Sequence, residues 1–277
     1  MHDIKRYLSA TFLAGVRQVV ARFADGFEEF QPIAIEADST YLAEGPRGPR
    51  RAAFFSGGVD SFFTVLKGRE QLTDLIYIHG FDVRLNDLPR RAAIHQMRHA
   101  VAGALGMRFI EVESNLAKVL QDFGHWAQHG HGFALAAIAR ALTGGIGEVR
   151  IPGTHSLKHQ KPWGSWLETD PLFSDERLRV VHDACEAGRA DKLRALIREP
   201  LALQYLRVCW EKVDGMYNCC HCEKCLRTMV SLHAHGVLDQ STAFRLPLEA
   251  RRVRHALLPR EGLRIYLREN IALMREL

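Results

Sequence analysis

Six consecutive residues, Ser56-Gly57-Gly58-Val59-Asp60-Ser61, carry the first chemistry legible in this chain. They set two hydroxyls and a carboxylate around a pair of glycines. The apolar run Ala52 to Phe55 precedes them and Phe62-Phe63 follows, so the stretch reads as the end of a buried parallel strand, a glycine turn and the start of an apolar helix. Glycine permits a sharp turn and leaves no side chain between the backbone and a ligand. Asp60 or Ser61 is placed to cap the helix, whose first amides lack intrahelical partners and lie at the positive end of its dipole. Together these features make an anion cradle, and the natural anion is a phosphate. For the glycine pair taken alone, a tight turn without a ligand is the competing reading. No Gly-Lys-Ser/Thr follows, so this is not a Walker A loop.

The second constellation is cysteine. The chain has six, and Cys219, Cys220, Cys222 and Cys225 fall within seven residues. With Cys209 they give the spacing C-x9-C-x2-C-x2-C, in which Cys209, Cys219, Cys222 and Cys225 offer four thiolates for a tetrahedral zinc. Buried cysteines also serve as small apolar residues, but these sit in the polar stretch Asn218-Cys219-Cys220-His221-Cys222-Glu223-Lys224-Cys225. Cys220 and His221 are spare, and either could replace a ligand. Iron is the alternative metal, and a reactive thiol or persulfide on Cys220 is a third reading.

The first string resembles the Ser-Gly-Gly-x-Asp-Ser signature of the PP-loop ATP pyrophosphatases, the superfamily of GMP synthetase, asparagine synthetase and 7-cyano-7-deazaguanine synthase. All five specified positions match. The cysteines sharpen the resemblance, because 7-cyano-7-deazaguanine synthase also has one cysteine, then a C-x2-C-x2-C triplet and a Leu-Arg-rich helix, here Cys225-Leu226-Arg227-Thr228-Met229. The resemblance covers roughly residues 52–235. Two stretches depart from that family: Cys219-Cys220-His221-Cys222 stands where it has Cys-Gly-x-Cys, and Lys161-Pro162-Trp163-Gly164-Ser165-Trp166 stands in place of its Tyr-Pro-Asp-Cys-type substrate motif. The acceptor is therefore not taken to be a deazaguanine.

The resemblance implies ATP and Mg2+ as well as Zn2+. It assigns nucleotide binding to Ser56, Gly57, Gly58, Val59, Asp60 and Ser61, and adenine recognition to backbone groups of Ile78, His79 and Gly80. Asp60 would orient magnesium; Asp82 is either a magnesium ligand or a turn residue. Catalysis falls to Ser56, Asp60, Ser61 and a positive group beside the α-phosphate, for which Lys161 is chosen over Lys158 and His155. The implied activity is an AMP- and pyrophosphate-forming ligase, or amidotransferase-like enzyme, that adenylates a small carboxylate or amide for attack by a nitrogen nucleophile. No glutaminase signature is evident, so ammonia would arrive free, from a partner protein or as an amine substrate. The alternatives are a tRNA-modifying enzyme of the thiolation type and a zinc-stabilised nucleotide-binding adaptor without turnover.

With 277 residues, 47% hydrophobic and 25% charged, the composition is that of an ordinary globular protein. No apolar run approaches a membrane span and Met1-His2-Asp3-Ile4-Lys5-Arg6 has no signal-peptide pattern, so a cytoplasmic protein without a membrane partner is expected. The net charge of +5 permits a polyanionic partner, but the arginines are scattered along helices, which ranks a nucleic acid behind ATP and a small substrate. The oligomeric state is open, with a homodimer as one candidate.

Strands and helices must position these residues. Periodicity predicts an amphipathic helix over residues 3 to about 24, a short strand over 30–35, strands at 52–55, 75–79, 108–112 and 148–152, and short strands at 178–181 and 206–208. Helices are expected at 61–69, 88–105, 133–142 and 190–197. The alternation implies an α/β fold with an open, mainly parallel sheet and helices on both faces. The resemblance makes it adenine-nucleotide α-hydrolase-like, of the HUP type. A small C-terminal cysteine-rich metal-binding and helical region is added to it. The expected division is 1–50, an N-terminal extension; 51–205, the nucleotide domain; and 206–277, the cysteine and helical region. His129-Gly130-His131-Gly132 reads as a helix cap. Trp163, Trp166 and Phe173 either wall a substrate or anchor a long loop, and their density over eleven residues favours the wall. Arg207, Lys224 and Arg227 are candidates for an acidic substrate, with pairing to Glu211 and Glu223 the duller account.

Overall fold

The computed structural model describes residues 7–42, 44–211, 213, 216–257 and 264–276. Strand β1 (Tyr7–Ser9) runs directly into α1 (Ala10–Gly26), and β1 pairs in parallel with β2 (Ser39–Tyr41). The first helix therefore starts later than its periodicity predicts. Ser9 explains the start, because its Oγ accepts the Phe12 N–H at 3.1 Å as an N-cap. Ile4, counted in the predicted helix, lies outside the described residues. The strand expected at 30–35 does not form. The ring of Phe30 instead packs edge-on against Phe23, Phe27 and His129.

The main run is β3 (Arg50–Phe54), α2 (Val59–Lys67), β4 (Asp74–His79), α3 (Leu88–Leu105), β5 (Arg108–Glu113), α4 (Leu116–Gln121), α5 (His131–Ala141), β6 (Ile146–Pro152) and β7 (Arg179–Asp183). Helices α6 (Arg189–Leu196), α7 (Pro200–Tyr205), α8 (Glu223–Ala234), α9 (Ala250–Leu257) and α10 (Arg264–Glu276) follow. Five strands form a parallel sheet flanked by helices, in the order β5-β4-β3-β6-β7. The order thus reverses at β3, the pattern of a doubly wound sheet. Every residue of β4 is buried, as a strand covered on both faces requires. Residues 206–208 are irregular rather than a strand, and α7 was not legible in the sequence. Among the described residues no helix is long and apolar enough to cross a membrane.

The chain divides into two compact units. The first comprises Met1–Phe54, Glu70–Asp74 and Asn115–Cys185. Its core is aromatic: Phe23 meets Phe133 at 4.9 Å and Trp166 at 5.2 Å, and Phe133 meets Phe173 at 5.4 Å. Trp166 and Phe173 are therefore buried anchors of the long loop, not a substrate wall. A buried Asp170 fixes the same loop, accepting from Ser165 Oγ at 2.6 Å and pairing with His182 Nδ1 at 2.8 Å. His129 does not cap α5, although its Nδ1 accepts the His125 N–H at 3.1 Å at the start of the preceding turn. It lies between Phe27 and Phe30 in a single π-helical turn, and α5 starts without a side-chain cap.

The second unit comprises Phe55–Arg69, Leu75–Ser114 and Glu186–Leu277. Here α2 packs on α6, and α8 on α9 and α10. At the exit of β4, His79 Nε2 lies 2.9 Å from Glu111, which also accepts from Arg98 at 2.7 Å. Burial alone would push the Glu111 carboxyl up, but these two hydrogen bonds hold it below the usual carboxylate range. Gly80 then turns the chain with φ +99°, where a Cβ would lie 1.8 Å from the Ser114 carbonyl oxygen. Gly80→Ala is expected to cost about 2–4 kcal/mol, as left-handed strain and a backbone collision combine. Urea denaturation of the two proteins checks it.

Candidate anion-binding loop and metal centre

Gly58 is the N-cap of α2 and no side chain caps the helix, so the capping expected from Asp60 or Ser61 does not occur. The first intrahelical bond is Phe62 N–H to the Gly58 carbonyl at 2.9 Å, and the Gly58 N–H lies 3.4 Å from Ser56 Oγ, so the Val59, Asp60 and Ser61 amides precede the helical ladder. Ser61 Oγ donates inward to the Gly58 carbonyl at 3.0 Å, and Ser56 Oγ lies 3.5 Å from Ser61 Oγ. The two hydroxyls thus flank one uncapped helix start.

Gly57 has φ +79°, and a Cβ there would stand 2.9 Å from Met97 Sδ and 3.4 Å from Arg207 Cβ. Its carbonyl accepts the Arg207 N–H at 2.7 Å. Both conformation and packing therefore demand glycine. Asp60, in the first turn, accepts from Lys192 Nζ at 2.8 Å, and this lysine of α6 is fully buried. Nothing in the sequence singled out Lys192, which sits in a helix where every second residue on average is charged.

Further cationic groups gather beside the loop. The guanidinium of buried Arg207 donates to the Cys209 carbonyl at 3.1 Å and reaches Asp82 at 3.4 Å, so its partner is not the Glu211 considered from sequence. Its Nε has no acceptor among the described residues. Burial acts against its charge, but Tyr77, Asp82 and Tyr217 more than offset that and hold its pKa above the ordinary value. Burial pushes the Tyr77 hydroxyl up to about 12. Lys224 sits 4.7 Å over the Trp210 ring, its pKa lowered by burial, in a neighbourhood of Asp82, Arg227, Arg189 and Asp60. Arg227 pairs with Glu223 at 3.4 Å, and both are buried.

The remaining expected residues lie as follows. Val59 opens α2 and is buried. Ile78 and His79 end the buried β4, where the His79 carbonyl accepts from Ser114 N–H at 3.0 Å and the Gly80 N–H donates to the Val83 carbonyl at 2.7 Å. Those two backbone groups are thus engaged within the chain. Lys161 belongs to the first unit and lies 4.9 Å over the Trp163 ring.

The four cysteines converge. The Sγ atoms of Cys209, Cys219, Cys222 and Cys225 all lie within 4.8 Å of one another, with 3.9 Å between Cys209 and Cys222 and between Cys219 and Cys225. Four sulfurs at about 2.3 Å from a zinc ion stand about 3.8 Å apart at the corners of a tetrahedron. The observed spacing fits a single ion, whereas bridged irons would part the thiolates further. Cys219 Sγ also accepts the N–H groups of Cys222 at 3.2 Å and His221 at 3.4 Å, and Cys225 lies in the first turn of α8. Amide donors and a helix N-terminus both favour thiolates. With four protein ligands there is no open position, the mark of a structural centre.

Without a cation, thiol hydrogen bonds from Cys222 and Cys225 hold Cys209 far below the ordinary thiol range. The same contacts, with burial, push Cys222 up to about 12 and raise Cys225. The spare residues are not ligands. Cys220 is fully buried, with φ +58° and a thiol that burial raises, which removes it as a reactive thiol or persulfide carrier. His221 is held by Arg252.

No family model and no curated protein matches the chain.

The metal centre should hold one zinc ion per chain by elemental analysis, and Cys209→Ser or Cys225→Ser should lose it. Loading at pH 7 should release protons, because thiols bind the ion as thiolates. Release into a weakly buffered indicator solution measures this. Lys192→Met should cost about 3 kcal/mol by breaking its ion pair with Asp60, read by urea denaturation.

Proposed function

We propose that the chain is a PP-loop ATP pyrophosphatase of the HUP type, an AMP-forming ligase that adenylates a small carboxylate or amide for attack by a nitrogen nucleophile. One observation carries this reading: an uncapped helix start with Ser56 and Ser61 on either side of it, at the exit of β3, the strand where the sheet order reverses. Zinc at the four cysteines has a structural role in this scheme.

In the first step a substrate carboxylate oxygen attacks the α-phosphorus of ATP. The bond from that phosphorus to the bridging oxygen breaks, and pyrophosphate leaves with the electron pair. The nitrogen then attacks the acyl carbon, AMP leaves with the carbon–oxygen pair, and the nitrogen sheds a proton. The amides of the α2 start and the Ser56 hydroxyl hold the departing pyrophosphate, and the Ser61 hydroxyl joins them by turning away from the Gly58 carbonyl it meets in the free protein. Charge building on the α-phosphate needs a fixed cation. Arg207 and Lys224 are the candidates in the same compact unit as the loop, whereas Lys161, expected from the sequence, belongs to the first unit. A magnesium ion would neutralise the β- and γ-phosphates; Asp82, more than half exposed, and Asp60 are the carboxylates that would hold it.

ATP–pyrophosphate exchange on zinc-loaded protein tests the reading, with panels of small carboxylic acids and, separately, bulk tRNA. Exchange that depends on a small acid and falls about 100-fold in Ser61→Ala is expected. Exchange only with tRNA would replace this reading by RNA modification, and nucleotide binding without any exchange by an adaptor role.

A further inference from the structure

The four-cysteine centre and the anion loop are joined by a short, fully traceable set of contacts within the second unit. Gly57 is enclosed by Met97, the Arg207 Cβ and the Tyr205 carbonyl, and its own carbonyl is held by the Arg207 N–H at 2.7 Å. Residues 205–209 therefore form the wall against which the loop turns. Beyond Tyr205, the last residue of α7, that wall is irregular chain, so the usual ladder of a strand does not hold it in place.

The residues that hold it come from the chain just before Cys219. Buried Asn218 uses both ends of its amide: Oδ1 accepts the N–H groups of Val208 at 3.0 Å and Cys209 at 3.2 Å, and Nδ2 donates to the carbonyls of Leu206 at 2.8 Å and Ala243 at 3.0 Å. Tyr217 Oη donates to the Tyr205 carbonyl at 2.7 Å and lies 3.2 Å from Met97 Sδ. The Arg207 side chain closes the circuit on the Cys209 carbonyl at 3.1 Å. Cys209 and Cys219 are both in the sulfur cluster, so one ion would tie the two segments together at the point where Asn218 bridges them.

We propose that metal loading at Cys209, Cys219, Cys222 and Cys225 sets the conformation of the Ser56–Ser61 loop, with Asn218, Tyr217 and Arg207 as the positioning residues that transmit it. Polyphosphate binding at the loop and metal retention at the cysteines are then linked, and the linkage is reciprocal. That last consequence rests on the phosphate reading of the loop; the conformational coupling does not.

Hydrogen exchange read by mass spectrometry on the full chain tests the coupling without any ligand. Removing zinc with a chelator should speed exchange about tenfold in peptides covering 54–66 as well as 205–229, leave β6 peptides unchanged, and reverse on adding zinc. Acceleration confined to 205–229 would overturn the proposal. Should chelation unfold the whole chain, Tyr217→Phe and Asn218→Ala with one zinc bound per chain decide the matter. Faster exchange in 54–66 is expected in both, and unchanged exchange there overturns the proposal. Titration with ATP is a separate arm. Metal-free protein should bind ATP about 5- to 150-fold more weakly than loaded protein. No ATP binding to loaded protein would sink the nucleotide reading, while the exchange result still decides the coupling.

Discussion

The hydrogen bond from the Arg207 N–H to the Gly57 carbonyl is the contact on which the arrangement of the second unit turns. It exists because Gly57 adopts a left-handed conformation that directs its carbonyl toward residues 205–209 and leaves no Cβ in the way. A β-carbon would be strained by that conformation and would press on the Met97 side chain. The Ser56 and Ser61 hydroxyls, the uncapped start of α2 and the Asp60–Lys192 pair take their positions from that turn.

Charge is handled locally around it. Buried Lys192 is met by Asp60, and Arg207 by Asp82. The cations therefore stand in fixed places before any ligand arrives, which lowers the reorganisation needed when negative charge develops nearby. The first unit uses the same principle for structure alone: Asp170, with Ser165 and His182, pins a long loop to an aromatic core.

The four cysteines converge in the described part of residues 206–222. That stretch has little regular structure, so backbone groups there are met by Asn218 and Tyr217 rather than by a sheet. Four thiolates around one ion fix such a segment far more tightly than scattered apolar contacts would.

Much of this was legible in residue order. The strand at β3, the glycine turn, the strand–helix alternation and the four-cysteine spacing all follow from local periodicity and from fixed separations along the chain. These are properties of neighbours, and a parallel α/β sheet follows from them. What tertiary structure alone decided lies at long separations: Lys192 under Asp60, Asn218 across Val208 and Cys209, and Arg207 against Gly57. It also reassigned Trp166, Phe173 and His129 to packing and removed Cys220 from the surface. A residue's type and spacing say which bonds it is able to make. Which bond it does make depends on the chain brought against it, and for a buried polar group that neighbour decides between support and chemistry.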